Sequence, residues 1–138
     1  MNNARLAIKL LVTVMTAYYV AIPTMADIGD SHLHSDEWSD HARVHLVWFL
    51  TFTALVGVMG VVVMWLKDAP AISSLIGLSF NGAFLFAGAI ASSYDGVISD
   101  ADGIPIQVIE FGILAVLFAA VLAFLAVGER RTSAAPSA

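Results

Sequence analysis

The chain has 138 residues, of which 59% are hydrophobic and 12% charged, and its formal net charge is −5 at pH 7. With a mean hydropathy of +0.87, it has too little charge to cover the surface of a soluble domain, so the composition predicts an integral membrane protein. Cysteine is absent, which excludes disulfides, thiolate metal sites and cysteine nucleophiles. The acidic balance argues against nucleic acid as a partner.

Four apolar segments are long enough to cross a bilayer, because a membrane helix needs roughly 20 apolar residues. They predict an all-α, integral membrane four-helix bundle, formed by a single domain over residues 1–131. The tail at 132–138 is rich in Ser, Ala and Pro and is predicted to be disordered. The predicted spans cover residues 6–26, 44–66, 71–93 and 104–127.

The first span has a second interpretation. Arg5 and Lys9, the apolar run after them and the sequence Thr24-Met25-Ala26 resemble a secretory signal peptide with cleavage before Asp27. We expect the span to be retained, because its apolar run is long for a signal peptide. Cleavage, which would leave three spans, is the alternative.

The second helix is predicted to begin before its membrane span, near position 36. Ser35 is a suitable N-cap, and Asp36 and Glu37 would place negative charge in the first turn, where the helix dipole favours it. The second and third spans are joined by a tight hairpin, in which Pro70 suits the first turn of the following helix.

The third span is predicted to lie at the centre of the bundle. Lipid gives helices no hydrophobic reason to associate, so contact depends on small residues, and Ala83, Ala87 and Ala91 recur at every fourth position. Ser73 and Asn81 would also be poorly placed against lipid. Further contact points are predicted on the second and fourth helices at Gly57, Gly60 and Gly112.

Basic residues predict the orientation, since cytoplasmic loops are enriched in Lys and Arg. Apart from Arg43, all of them fall at one end of the predicted bundle: Arg5, Lys9, Lys67, Arg130 and Arg131. That end, together with both termini, is predicted to face the cytoplasm. The long loop after the first span is then predicted to lie on the extracytoplasmic side of the plasma (inner) membrane.

All four histidines lie between positions 32 and 45. Glu37, His41 and His45 are spaced four residues apart and would share one helix face. Two imidazoles with a carboxylate one turn away form a partial coordination sphere for a divalent transition metal: zinc, iron, manganese or copper. His32 and His34 are expected to be solvated loop residues, and simple solvation is also the alternative role for His41 and His45.

Glu110 lies about two turns into the fourth span, roughly 10 Å deep, where a carboxyl group should be neutral or paired. Span counting places His45, Tyr94 and Asp95 at the same level, with Gln107 one turn above Glu110, so the sequence predicts one half-buried pocket. In it, a neutral Glu110 would act as general acid and His45 as base. An interhelical hydrogen bond that fixes the bundle is the alternative role for Glu110.

The run from Trp38 to His45 resembles the W-x-x-H-A-R-x-H signature of uncharacterised small four-helix bacterial membrane proteins. The match covers residues 38–45, with Trp38, His41, Arg43 and His45 at the motif positions. The resemblance implies the four-span fold and a functional role for Arg43, but no activity. Without it, we expect Arg43 to pair with Asp40 or to reach lipid phosphate.

The sequence therefore leads to two kinds of function. The first is a metal-dependent or acid/base enzyme that acts on a lipid-soluble or small-molecule substrate in an outer-leaflet pocket, with Trp38, Arg43, Tyr94 and Asp95 as additional pocket residues. The alternative is a non-catalytic protein: an accessory subunit of a larger membrane complex, or a metal-binding membrane protein. Its small size and small-residue helix faces would suit a membrane-protein partner or a homo-oligomer.

Overall fold

The computed structural model describes residues 3–30, 32–98 and 105–133. Within these ranges the chain is helical and contains no strand. All four α-helices are long and apolar enough to span a membrane, which confirms the predicted all-α, four-helix membrane bundle. The helices are α1 (Asn3–Asp27), α2 (Asp40–Lys67), α3 (Pro70–Ala89) and α4 (Ile106–Ser133), with a short 3₁₀ helix, Ala91–Tyr94, after α3.

The predicted central position of the third helix is confirmed. α1 and α3 both contact the three other helices, but most of the interhelical packing involves α3, and α4 packs mainly on it. α2 and α4 make no close backbone approach to each other within the described ranges. Gly77 allows the closest approach, because a Cβ at this position would overlap the ring of Phe118 on α4. Gly57 on α2 plays the same part toward α1, since a Cβ there would lie 2.8 Å from Cγ2 of Val20. Close contact through small residues is how membrane helices associate.

The predicted contact at Gly112 is wrong. Among the described residues, and apart from its chain neighbours and the adjacent backbone of α4 itself, no heavy atom lies within 4 Å of the place that a Cβ of Gly112 would occupy. The helix turns its large side chains Phe111, Leu114 and Phe118 toward the core instead, and all three are buried. Gly112 therefore lies off the packing face of α4.

The start of α2 differs from the prediction. The helix begins at Asp40 and not near position 36, because Ser39 is the N-cap and its hydroxyl accepts a hydrogen bond from the Ala42 N–H at 3.2 Å. The hydroxyl of Ser35, the predicted cap, instead accepts a bond from the Glu37 N–H in a turn of the preceding loop. Glu37 is therefore not part of α2.

Other helix ends also shift from their predicted positions. α3 ends at Ala89 and not at position 93, and the chain then continues through the 3₁₀ helix into Asp95, whose φ of 56° lies in the left-handed region. α4 continues to Ser133, beyond the predicted end at 127 and into the predicted tail, and three of the residues after the span, Glu129, Arg130 and Arg131, are good helix formers. Residue 104, the predicted start of that span, and residues 134–138 lie outside the described ranges.

A cluster of charges closes one end of the bundle, which we call the hairpin end: the α2–α3 connection and the start of α1. Lys9 Nζ lies 2.6 Å from Asp68 Oδ1, and Arg5 Nε lies 2.6 Å from Asp68 Oδ2. Lys9 is buried and also lies over the Trp65 ring, 5.3 Å from its centroid. Hydrogen bonds from Lys9 and Arg5 hold the pKa of the Asp68 carboxyl below its usual range. The cluster ties α1 to the hairpin.

Replacing Asp68 by asparagine should therefore destabilise the fold. Asparagine tolerates the left-handed backbone of Asp68, φ 53°, so Asp68→Asn removes the charge and leaves the buried Lys9 ammonium without its anion. The melting temperature at neutral pH should fall by a few degrees, as measured by circular dichroism in mild detergent.

The same comparison has a defined pH dependence. Because the folded-state pKa of Asp68 is lowered, its contribution is complete above the unfolded pKa, about 3.9, and is lost as pH falls through the folded value. The difference between wild type and Asp68→Asn should shrink in that acidic range. Asp95→Asn is the matched control, since Asp95 has the same left-handed backbone. An equal loss in both variants would contradict the ion-pair explanation.

Candidate functional site

A cavity of about 470 Å³ lies at the other end of the bundle, the loop end, where α1 stops and α4 begins. Its size is within the range of ligand pockets, about 300–1,000 Å³. Aromatic rings from three helices dominate its apolar wall: Phe49, Phe80, Phe84 and Phe111. Its polar lining consists of Asp27, His32, Gln107 and Glu110. An apolar cavity with a few convergent polar groups is the usual form of a small-molecule site.

Asp27 and His32 form one polar pair of this cavity. Asp27 ends α1, and the loop folds back over it so that the Leu33 N–H donates to the Asp27 carbonyl at 3.1 Å. This turn brings His32 Nδ1 to 4.0 Å from Asp27 Oδ1, with the His32 ring packed edge-on against Trp38. A carboxylate at a helix C-terminus is unfavourable because the helix dipole is negative there. α1 has no basic residue in its last turn, so the His32 imidazole is the nearby group that can offset this charge.

Glu110 forms the second polar pair, with Tyr18 of α1. The Tyr18 hydroxyl donates a hydrogen bond to Glu110 Oε1 at 3.0 Å, so the carboxyl group is joined to a neighbouring helix. Gln107 and Phe111 lie three residues before and one residue after Glu110, and all three line the cavity. The start of α4 thus places an amide and a half-buried carboxyl group beside an aromatic wall.

His41 and His45 form a separate pair on the outside of α2. Their Nε2 atoms lie 3.0 Å apart, and their rings are nearly perpendicular, with an interplanar angle of 87°. Both side chains are exposed, and neither lines the cavity. The predicted sharing of one helix face by His41 and His45 is confirmed.

The structure does not assemble the predicted three-ligand metal set. Glu37 lies in the loop before α2, so it is not one helical turn from His41. Across residues 3–30, 32–98 and 105–133, no group of three or more His, Asp or Glu side chains is placed to hold a metal ion. Nor does the structure bring His45 into the cavity with Glu110; the histidine there is His32.

The remaining predicted pocket residues surround the loop end without lining the cavity. Arg43 fixes the loop, because its Nη2 donates to the Ser35 carbonyl at 2.8 Å. The expected pairing of Arg43 with Asp40 is also present, at 3.6 Å. Tyr94 is exposed and donates to the Ala87 carbonyl at 2.9 Å; Asp95, which follows it, is also exposed. Trp38 reaches the cavity only through its contact with His32.

Sequence reasoning missed the roles of Asp27, His32 and Tyr18. His32 was expected to be a solvated loop residue, and a tyrosine near a span end, such as Tyr18, is usually an interfacial aromatic. A signal for the first pair does exist in the sequence, since an acidic residue at the end of a helix needs a cation or donor nearby. The Tyr18–Glu110 pair has no local signal, because it depends on how α1 and α4 pack.

Comparison of the chain with family models, with curated proteins and with solved structures gives no match in any of the three. The resemblance of residues 38–45 to the W-x-x-H-A-R-x-H signature therefore stays a prediction.

A double-mutant cycle should separate the two proposed partners of Glu110. Glu110→Ala and Tyr18→Phe should be non-additive in their effect on stability, because each removes one side of the same hydrogen bond. Glu110→Ala and His45→Ala should add within about 0.5 kcal/mol, as expected for residues that share no partner. Thermal unfolding of the single and double variants in detergent gives both values. Coupling between Glu110 and His45, with none between Glu110 and Tyr18, would contradict the arrangement described above.

Proposed function

We propose that the protein binds a small lipid-soluble molecule that carries a polar group, in the cavity at the loop end. The observation that supports this most directly is the combination of residues that line the cavity. A wall of aromatic rings stands beside four polar side chains: Asp27, His32, Gln107 and Glu110. Such a wall holds an apolar body, while the polar groups orient a hydroxyl, carbonyl or amine. The cavity lies in a bundle of four candidate membrane spans, so ligands can enter from the lipid phase.

The two polar pairs also suit proton transfer to or from the bound molecule. The Glu110 carboxyl accepts a hydrogen bond from Tyr18, and the Asp27 carboxylate lies near His32. Histidine and carboxyl groups are the usual general acids and bases. In this proposal Glu110 exchanges the proton with the ligand, while the Asp27 carboxylate, 4.0 Å from His32, stabilises the protonated form of His32 as the complementary acid or base. The proposal keeps the predicted acid/base chemistry of Glu110 but assigns the histidine role to His32.

Photolabelling tests whether the cavity binds such a molecule. A hexanol derivative with a diazirine next to its hydroxyl group should label residues 22–27 and 105–111 in protein held in lipid nanodiscs. Ala87→Phe fills the cavity and should lower this labelling by about tenfold. Ala89→Phe is the matched control, because Ala89 lies on the same helix and does not line the cavity. Labelling that is spread over the lipid-facing helices and unchanged in Ala87→Phe would refute the binding site.

A second candidate function is metal binding by His41 and His45. The 3.0 Å separation of their Nε2 atoms supports it, because two imidazoles bound to one tetrahedral ion have nitrogens about 3.3 Å apart. Zinc, copper, iron or manganese would then need water or substrate for its remaining positions. In the absence of a metal, one imidazole donates a hydrogen bond to the other.

Elemental analysis of untagged protein in mild detergent distinguishes these two states of the histidine pair. The metal-binding state predicts a stoichiometric amount of transition metal in wild type and its loss in the His41→Ala/His45→Ala double variant. His34→Ala is the control, because His34 is also exposed but lies outside the pair. A wild-type protein without metal after exposure to Zn²⁺ and Cu²⁺ would leave the hydrogen-bonded pair as the correct description.

We also propose that the hairpin end faces the cytoplasm and that the loop end lies on the extracytoplasmic side of the inner membrane. The distribution of basic residues supports this orientation: Arg5, Lys9 and Lys67 belong to the hairpin end, and Arg130 follows the apolar part of α4. Ligands of the cavity would then come from the outer leaflet.

A further inference from the structure

A second cavity lies beside the first, between α2 and α3. This apolar groove has a volume of about 460 Å³. Its walls include Phe52, Val56, Leu75 and Ile76, and Phe52 and Leu75 are more than half exposed. Along the bundle the groove extends from the level of the first cavity toward the hairpin end, since its lining passes down α3 from Ala83 to Leu75.

The two cavities share part of their walls. Phe49 of α2 and Phe80 and Ala83 of α3 line both of them. The rings of Phe49 and Phe80 are stacked, with centroids 6.1 Å apart and an interplanar angle of 21°, so aromatic side chains stand between the two cavities. Phe49 is half exposed, and Ala83 is the small residue that lines both cavities with the two rings. The two cavities are therefore adjacent and share an aromatic wall.

The two cavities differ in polarity. The ionisable and amide groups of the first cavity, Asp27, His32, Gln107 and Glu110, are absent from the lining of the groove. The polar atoms that the groove does have are hydroxyls, on Tyr19, Thr53 and Ser79. A polar end and an apolar end, separated by a shared aromatic wall, match a molecule with a head group and a tail.

We propose that the ligand of this site is a long-chain amphiphile. Its polar head lies among Asp27, His32, Gln107 and Glu110, and its alkyl or isoprenoid chain passes Phe49 and Phe80 into the groove between α2 and α3. This inference rests on the proposed function and adds the class of ligand. The occupant of the groove is the tail of the same molecule, because the two cavities are adjacent and rotation of the shared Phe49 ring would join them.

The test must measure where the chain lies and not how tightly it binds. A tail that leaves lipid for an apolar groove gains no hydrophobic free energy, because lipid chains are equally apolar. Chain length alone is therefore a poor indicator of occupancy. A cross-link formed at the chain end reports the position of the tail directly.

A hexadecanol derivative with a diazirine near its chain end serves as the probe, in nanodiscs that contain the full chain. It should cross-link to residues 49–56 of α2 and 75–83 of α3, and unlabelled hexadecanol should compete. The hexanol probe, whose diazirine is next to the hydroxyl, should still label residues 105–111. Val56→Trp fills the groove and should lower the tail cross-link by about tenfold, while the head label at 105–111 is unchanged.

Val58→Trp is the matched control, since Val58 lies on the same helix, is 61% exposed and does not line the groove. Leu75→Trp on the facing helix is a second blocking variant should Val56→Trp fail to fold. Tail cross-links spread over exposed residues and insensitive to both blocking variants, with the head label intact, would overturn this inference and leave the proposed function standing. If the hexanol probe does not label residues 105–111 in the wild-type protein, both the proposed function and this inference are overturned.

Discussion

The packing of α3 against α4 sets the position of the cavity at the loop end. Gly77 and Phe118 form the closest contact of the two helices, and two turns further toward the loop end Phe84 stacks on Phe111 with centroids 4.2 Å apart. Beyond that stack the facing residues are small, as at Ala87, and the helices leave the space that Glu110 borders. A bulkier residue at Gly77 would force α3 and α4 apart and change the register on which the aromatic wall depends.

The two ends of the bundle use charge differently. At the hairpin end the buried Lys9 ammonium and Arg5 share the carboxylate of Asp68, an arrangement of permanent charges that fixes the helices. At the loop end the carboxyl groups of Asp27 and Glu110 have His32 and Tyr18 as partners. The His32 imidazole and the Tyr18 hydroxyl can donate or accept a proton, whereas the guanidinium of arginine stays protonated in proteins. The hairpin end is thus suited to stability, and the loop end to binding and proton exchange.

The fold and part of the site could be predicted from the sequence. Span length and small residues were sufficient for the four helices and for the central position of α3, and helical spacing predicted that His41 and His45 share a face. The start of α2 could not be predicted, because Ser35 and Ser39 are both good caps, and the loop bonds of Ser35 decide between them. The partner of Glu110 could not be predicted either, because Tyr18 is distant in sequence and meets it only through helix packing.

The histidine pair and the cavity are linked through Arg43, although they are separate sites. Arg43 lies on α2 between His41 and His45, and its guanidinium holds the Ser35 carbonyl of the loop. The same loop carries His32 to the cavity, and its Trp38 packs against the His32 ring. An ion that bridged His41 and His45 would stiffen the first turns of α2, the segment that anchors Arg43. Metal binding would raise the affinity of the cavity for its ligand only if the anchored loop favours ligand binding. The ligand would then raise the affinity of the histidine pair for the metal by the same factor.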